Sequence, residues 1–164
     1  MTPDKQVNVG QVRSVMFMSA EDASEVPPDV SARTYVIRIL DGQAAGHHVY
    51  PPLREGHAWV RAYAFDDIGP DAAGDAGALP PHLFTEAIAQ AILRDLDAVL
   101  ARDGIDLLLV HCFAGASRSP AVAEVLARLH GVAIAGTCYP RDPRFKVTPN
   151  KHVYDTMLRV ASRG

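Results

Sequence analysis

Ile105-Asp106-Leu107-Leu108-Leu109-Val110-His111-Cys112-Phe113-Ala114-Gly115-Ala116-Ser117-Arg118-Ser119-Pro120 passes from an apolar run, through small residues, into an amphipathic run. Ile105 to Val110 follows the turn signal Asp103-Gly104 and reads as a short buried strand. Ala121 to His130 reads as a helix closed by Gly131, and Pro120 suits its first turn, where a missing N–H costs little. A strand that hands over to a helix through small residues turns successive backbone N–H groups inward. The positive end of the helix dipole adds to them, so the loop is a cradle for an anion.

Into that cradle the sequence sets Cys112, followed by Arg118 in a Cys-x5-Arg spacing. A cysteine beside a helix N-terminus and a cation ionises readily, so Cys112 is expected to act as a thiolate nucleophile. Arg118 offers a planar fork of donors that matches two oxygens of a phosphate, which a lysine does not. The loop is expected to hold a phosphate against the sulfur.

With His111 before the cysteine and Ser119 after the arginine, His111 to Ser119 resembles the signature loop of the protein tyrosine phosphatase superfamily. Ala114-Gly115-Ala116-Ser117-Arg118-Ser119 is similar to its compact dual-specificity branch, small bacterial members included. The resemblance spans the order of elements from about Tyr35 to His130. It implies metal-independent hydrolysis of phosphate monoesters, phosphotyrosine first and phosphoserine or phosphothreonine through a shallow cleft. By resemblance Cys112 attacks phosphorus to form a phosphocysteine, Arg118 holds the phosphoryl oxygens, and Ser119 helps the thiolate depart. Phe113, Ala114, Gly115, Ala116, Ser117 and Arg118 form the phosphate-binding loop, and His111 orients it. Ala116 stands where the family often has a larger aliphatic residue. No cofactor and no metal are implied, since Arg118, the loop amides and the helix terminus supply the electrostatics. The implied partner is a phosphorylated protein or a small phosphomonoester. Absence of lysine between Cys112 and Arg118 speaks against phosphoinositides.

Length and composition suit this reading. At 164 residues with 48% hydrophobic content, the chain is expected to form one domain, 1–164. A formal charge of −3 gives no basic field, so no nucleic-acid partner is expected. Two cysteines, Cys112 and Cys138, make no disulfide framework. Cys138 reads as an ordinary thiol, with a resolving role for oxidised Cys112 as the alternative. The first residues show no signal peptide and no run reaches membrane-spanning length, so a cytoplasmic protein with no membrane partner is expected.

Outward from the loop, Val7 to Val9 and Val12 to Met18 suggest early strands, and Ser19 to Asp29 a loop or short exposed helix. Tyr35 to Leu40 is a strand ended by Asp41-Gly42, followed by an irregular stretch from Gln43 to Gly56. His47 and His48 in that stretch point to opposite sides of an extended chain, so they share no metal. His57 to Phe65 is a strand whose two faces both suit packing against helices. Leu83, Ala87, Ile88, Ala91, Ile92, Leu96 and Leu100 recur at helical spacing within a helix over 82–102. Arg141, Arg144 and Lys146 read as a solvated loop, or alternatively as a rim selecting acidic substrates. A final helix runs from about Lys151 to Ser162. The class is α/β: one domain with a central, mostly parallel sheet flanked by helices on both faces.

Strand 57–65, helix 82–102 and strand 105–110 form a βαβ unit, so both strands are parallel and end at one edge of the sheet. Asp66-Asp67 and Cys112 therefore open on the same crevice. Phosphoryl transfer to a thiolate needs an acid for the departing oxygen, help worth typically 10² to 10⁴-fold. Asp67-Ile68-Gly69 resembles the Asp-x-Gly of the family's mobile acid loop, which makes Asp67 the expected general acid and Asp66 the alternative. Asp71 and Asp75 are further candidates. A protease-like role for His111 as base is disfavoured, because the residue before Cys112 on a strand points away from it. Two other readings stand beside the phosphatase: a phosphate-binding module without turnover, and a rhodanese-like sulfur transferase.

Overall fold

Runs of apolar residues bounded by turn signals become strands, and they alternate with helices along the chain. The order is β1 (Ser14–Ser19), α1 (Ala20–Glu25), β2 (Thr34–Leu40), β3 (Trp59–Ala64), α2 (Glu86–Arg102), β4 (Leu107–Cys112), α3 (Arg118–His130), β5 (Ile134–Thr137) and α4 (Lys151–Ala161). A computed structural model of the chain describes residues 12–28, 33–42, 48–72, 79–137 and 146–164. Val7 to Val9, His47, Asp75, Cys138, Arg141 and Arg144 lie outside the described residues.

Among the described residues the strands form a single five-stranded sheet in the order β3-β2-β4-β1-β5, and every pairing is parallel. β4 is central, in register with β1 (Phe17 opposite Val110, Ser19 opposite Cys112) and with β2 (Ile37 opposite Val110). Both of its faces are packed, Leu108, Val110 and Cys112 against one cluster and Leu109 against another, so Leu108 to Cys112 is buried without a break. The expected parallel relation of β3 and β4 holds, with β2 lying between them.

Alternation along the strands divides the core in two. Val15, Phe17, Tyr35, Ile37, Ile39, Leu108, Val110 and Cys112 face the main cluster, which is completed by the buried faces of α2, α3 and α4. Val36, Leu109 and Met18 face a smaller cluster with Ala23 of α1. Among the described residues helices thus lie on both faces, but unequally, three against one short one.

Sequence and structure part at several elements. β3 is an edge strand with Arg61, Ala62 and Ala64 exposed, not one packed by helices on both faces. α2 starts at Glu86 rather than near 82, because Thr85 Oγ1 caps it by accepting from the Ile88 N–H at 3.3 Å. The buried face of α2 is Ala89, Ile92, Leu96 and Val99, which leaves Ala87 in solvent. The acidic segment after β1 takes the short-helix alternative, with Ser19 as N-cap, but it is not wholly exposed, since it buries Ala20 and Ala23. β5 was not foreseen: its four residues, Ile134-Ala135-Gly136-Thr137, carry too weak a pattern.

α3 ends as expected. Gly131 takes a left-handed φ of 64°, and the Val132 N–H reaches back to the Ala127 carbonyl at 3.0 Å. Among the described residues no helix is long and apolar enough to cross a membrane.

Candidate active site

Because all five strands are parallel, the residues that follow β1, β2, β3 and β4 gather at one edge. Cys112 is the last residue of β4 and Arg118 the first of α3, so residues 113–117 form the whole connection between them. That connection is packed from behind. The Ala20 N–H donates to the Phe113 carbonyl at 3.0 Å, and the Thr148 N–H donates to the Ala116 carbonyl at 2.8 Å.

Gly115 is required at its place. Its φ is 71°, and an added Cβ would lie 2.5 Å from the Ser19 backbone nitrogen and 2.6 Å from the Met18 carbonyl carbon. The backbone conformation allowed by this glycine aims the Gly115 N–H at Cys112 Sγ, 3.2 Å away. Ser119 Oγ lies 3.1 Å from the same sulfur, and its residue is fully buried. Cys112 is only 2% exposed. Ser117, the N-cap of α3, makes no side-chain cap, so the helix opens its first amides toward the loop.

Arg118 is buried at 5% exposure. Its Nη1 donates to the carbonyls of Phe65 at 2.9 Å and Leu40 at 3.4 Å and to Asp41 Oδ1 at 3.2 Å, while Nη2 donates to Tyr50 Oη at 3.3 Å. One end of the guanidinium is thereby fastened to the ends of β2 and β3. Nε–H and the second Nη2–H find no acceptor among the described residues, and together they are a side-on fork for two oxygens. Burial opposes the charge on Arg118, but Tyr50, Cys112 and Asp41 outweigh it and push its pKa up.

Sequence reasoning took Asp41 for a turn residue and missed this role. Its Oδ1 accepts from Tyr50 Oη at 2.8 Å as well as from Arg118, and its Oδ2 lies 2.8 Å from His48 Nδ1, the donor facing a carboxylate. Burial pushes the Asp41 carboxyl up, but the bonds from Tyr50 and His48 and the charge of Arg118 prevail and hold it below the usual carboxylate range. Burial drives the Tyr50 phenol well above its ordinary value despite Arg118 nearby. Only the strand end at Asp41 was visible in the sequence; the pairing of that strand with β4, which brings Asp41 to Arg118, leaves no local signature. His48 also stacks on Phe113, with ring centroids 3.9 Å apart, and Tyr50 meets Phe113 edge-on at 5.7 Å.

The two neighbouring aspartates face different ways. Asp66 Oδ1 accepts from the Gly42 N–H at 2.8 Å and so joins the ends of β3 and β2. Asp67 Oδ1 accepts from Ser117 Oγ at 2.7 Å and Asn150 Nδ2 at 2.8 Å, which brings it against the Cys112–Arg118 connection. Asp71 is exposed on the following turn. A groove of about 690 Å³ runs along the outer side of the connection, bounded by Gly69, Asp71, Ser117, Lys146, Asn150 and Lys151.

His111 lies on the other face of the sheet from Cys112, fully buried, with Nε2 3.0 Å from Arg38 Nε. Arg38 can only donate, so His111 Nε2 accepts and the ring proton sits on Nδ1, 3.4 Å from the Cys112 carbonyl. Burial, then the Arg38 charge, lower the His111 pKa to about 4, so the ring is neutral near pH 7. It supports the backbone at Cys112 and makes no contact with the sulfur. Among the described residues no group of three or more His, Cys, Asp or Glu side chains could hold a metal ion. Comparison with protein-family models, with curated proteins and with solved structures finds no match for this chain.

Proposed function

We propose that the chain is a cysteine-dependent phosphomonoester hydrolase, similar to the compact dual-specificity branch of the protein tyrosine phosphatases, with residues 113–118 as its phosphate-binding loop. The observation that carries this reading is the pairing at α3: Cys112 Sγ receives the Gly115 N–H at 3.2 Å, and Arg118, at the helix start, keeps a two-donor fork while its other end is fastened to β2 and β3. A phosphoryl group seated there meets the sulfur on one side and donors around its oxygens.

The reaction then runs in two steps. Cys112 attacks phosphorus as a thiolate, an S–P bond forms as the P–O bond to the leaving group breaks, and Asp67 gives its proton to the departing oxygen. Water next attacks the phosphocysteine and passes a proton to Asp67. The S–P bond breaks, and Ser119 Oγ, 3.1 Å from Sγ, donates a hydrogen bond to the returning thiolate. Arg118 carries the charge on the phosphoryl oxygens in both steps. The substrate class is phosphorylated tyrosine, serine or threonine in a protein, or a small phosphomonoester.

Phosphate release from an aryl phosphate in the presence of EDTA tests the proposal. Wild type is expected to turn over, Cys112→Ser to lose all activity, and Asp67→Asn to lose roughly 10² to 10⁴-fold on phenyl phosphate, whose departing oxygen needs a proton. Activity retained without Cys112 overturns it. Vanadate binding without turnover by folded wild type replaces it with a phosphate-binding module, and persulfide on Cys112 with a sulfur transferase.

A further inference from the structure

Asn150 stands where three parts of the site meet. Its backbone N–H donates to the Ser117 carbonyl at 3.0 Å, on the connection between Cys112 and Arg118. Its Oδ1 accepts from the Val153 N–H at 3.0 Å and so caps α4. Its Nδ2 donates to Asp67 Oδ1 at 2.8 Å and to the Ile68 carbonyl at 3.2 Å. An N–H faces the amide oxygen and two acceptors face the amide nitrogen, so the network fixes which way the amide is turned.

Capping does not require this residue. Serine and aspartate cap a helix about as well as asparagine, because the cap uses only a side-chain oxygen. Asparagine alone among them adds an amide that donates two hydrogens, and both are used on the Asp67 segment. That segment has open space beside it at Gly69, where an added Cβ would meet nothing within 4 Å.

We propose that Asn150 is the positioning residue of Asp67 and, with Ser117, selects the carboxyl oxygen that carries the proton. This rests on the reading of Asp67 as the general acid. Ser117 Oγ and Asn150 Nδ2 both donate to Oδ1 and neither engages Oδ2. In a protonated carboxyl the carbonyl oxygen is the acceptor and the hydroxyl oxygen the donor, so two donors on Oδ1 assign the proton to Oδ2. A carboxyl free to turn would share its proton between two oxygens in many orientations. Held by the loop that seats the phosphate and by the cap of α4, Asp67 presents one oxygen in one direction.

Asn150→Ser isolates this role, since it keeps the cap and the backbone bonds of Thr148 and Asn150 but deletes the amide donor. The measurement is kcat/KM over phosphate esters from nitrophenyl, whose oxygen leaves with little help, to phenyl and alkyl, whose oxygens need a proton. Expected for Asn150→Ser are a near wild-type rate on nitrophenyl phosphate, a loss of roughly tenfold or more on phenyl and alkyl phosphate, unchanged inhibition by inorganic phosphate, and an unchanged melting temperature. Asn150→Ala loses the cap too and is expected to melt lower with the same leaving-group pattern. Wild-type rates for Asn150→Ser across the series, while Asp67→Asn shows leaving-group dependence, overturn the role of Asn150. A uniform loss that tracks a lower melting temperature also overturns it, in favour of capping alone. If Asp67→Asn itself shows no leaving-group dependence, the reading of Asp67 falls first and this proposal with it.

Discussion

Arg118 Nη1 and Asp41 Oδ1 form an ion pair 3.2 Å apart, with 6% and 10% of their side chains exposed. Deleting one partner of such a pair strands the other charge away from water, at a cost of roughly 3 to 5 kcal/mol. The pair also orients Arg118: with Nη1 held by Asp41 and by the Phe65 and Leu40 carbonyls, the guanidinium donors that have no acceptor among the described residues share one edge. Asp41→Ala is expected to unfold at clearly lower urea concentration. Asp41→Asn, which keeps an acceptor but no charge, is expected to fold with a smaller deficit yet lose roughly tenfold or more in kcat/KM on an aryl phosphate. A wild-type urea midpoint for Asp41→Ala would show that the pair contributes nothing.

Gly115 and Gly69 provide opposite expectations for the same substitution. At Gly115 a Cβ meets the Ser19 nitrogen at 2.5 Å and needs a left-handed φ of 71°, and neither backbone can give without moving β1 or the loop. Gly115→Ala is expected to cost about 2 kcal/mol or more and to abolish phosphate release. At Gly69 the added methyl enters open space, so Gly69→Ala is expected to keep or slightly raise stability, by up to about 1 kcal/mol. Thermal melts of the two variants decide this, and equal effects would contradict it.

The parts of the site that were legible in the sequence are local or follow from topology. Cys112, Arg118 and Gly115 lie on one strand–loop–helix unit that is contiguous in the sequence. The Asp66-Asp67 pair was placed through the parallel βαβ unit, which fixes the edge where a strand ends whatever the side chains do, and Asp67 was preferred within the pair by its resemblance to the family's acid loop. Asp41, His48 and Tyr50 were not reached, because their meeting with Arg118 depends on β2 lying beside β4, a long-range pairing with no local signature. Asn150 is similar: its amide meets Asp67 across 83 positions of sequence. The exposure of β3 was misread because Trp59-Val60-Arg61-Ala62-Tyr63-Ala64 has small residues on one face, which suit a packed helix and a solvent edge equally well.

His111 gives the fold a calculable response to acid. Burial, and then the Arg38 charge, lower its pKa from 6.5 to about 4. Between those values the unfolded chain takes up a proton that the folded chain refuses, so stability is full above about pH 6.5 and falls as pH drops toward 4. The whole loss from this group is about 3 kcal/mol, of which about 2 kcal/mol lies between pH 7 and pH 5. His130, also lowered mainly by burial, acts in the same direction. Comparing wild type with His111→Gln isolates the one ring, because glutamine offers Arg38 an acceptor but does not titrate. Urea unfolding at pH 7 and pH 5 is expected to show a steeper acid loss for wild type than for His111→Gln, with the difference near 2 kcal/mol. Equal pH dependence in the two proteins would mean that the folded ring takes up a proton as readily as the unfolded one, so that neither burial nor Arg38 opposes its charge.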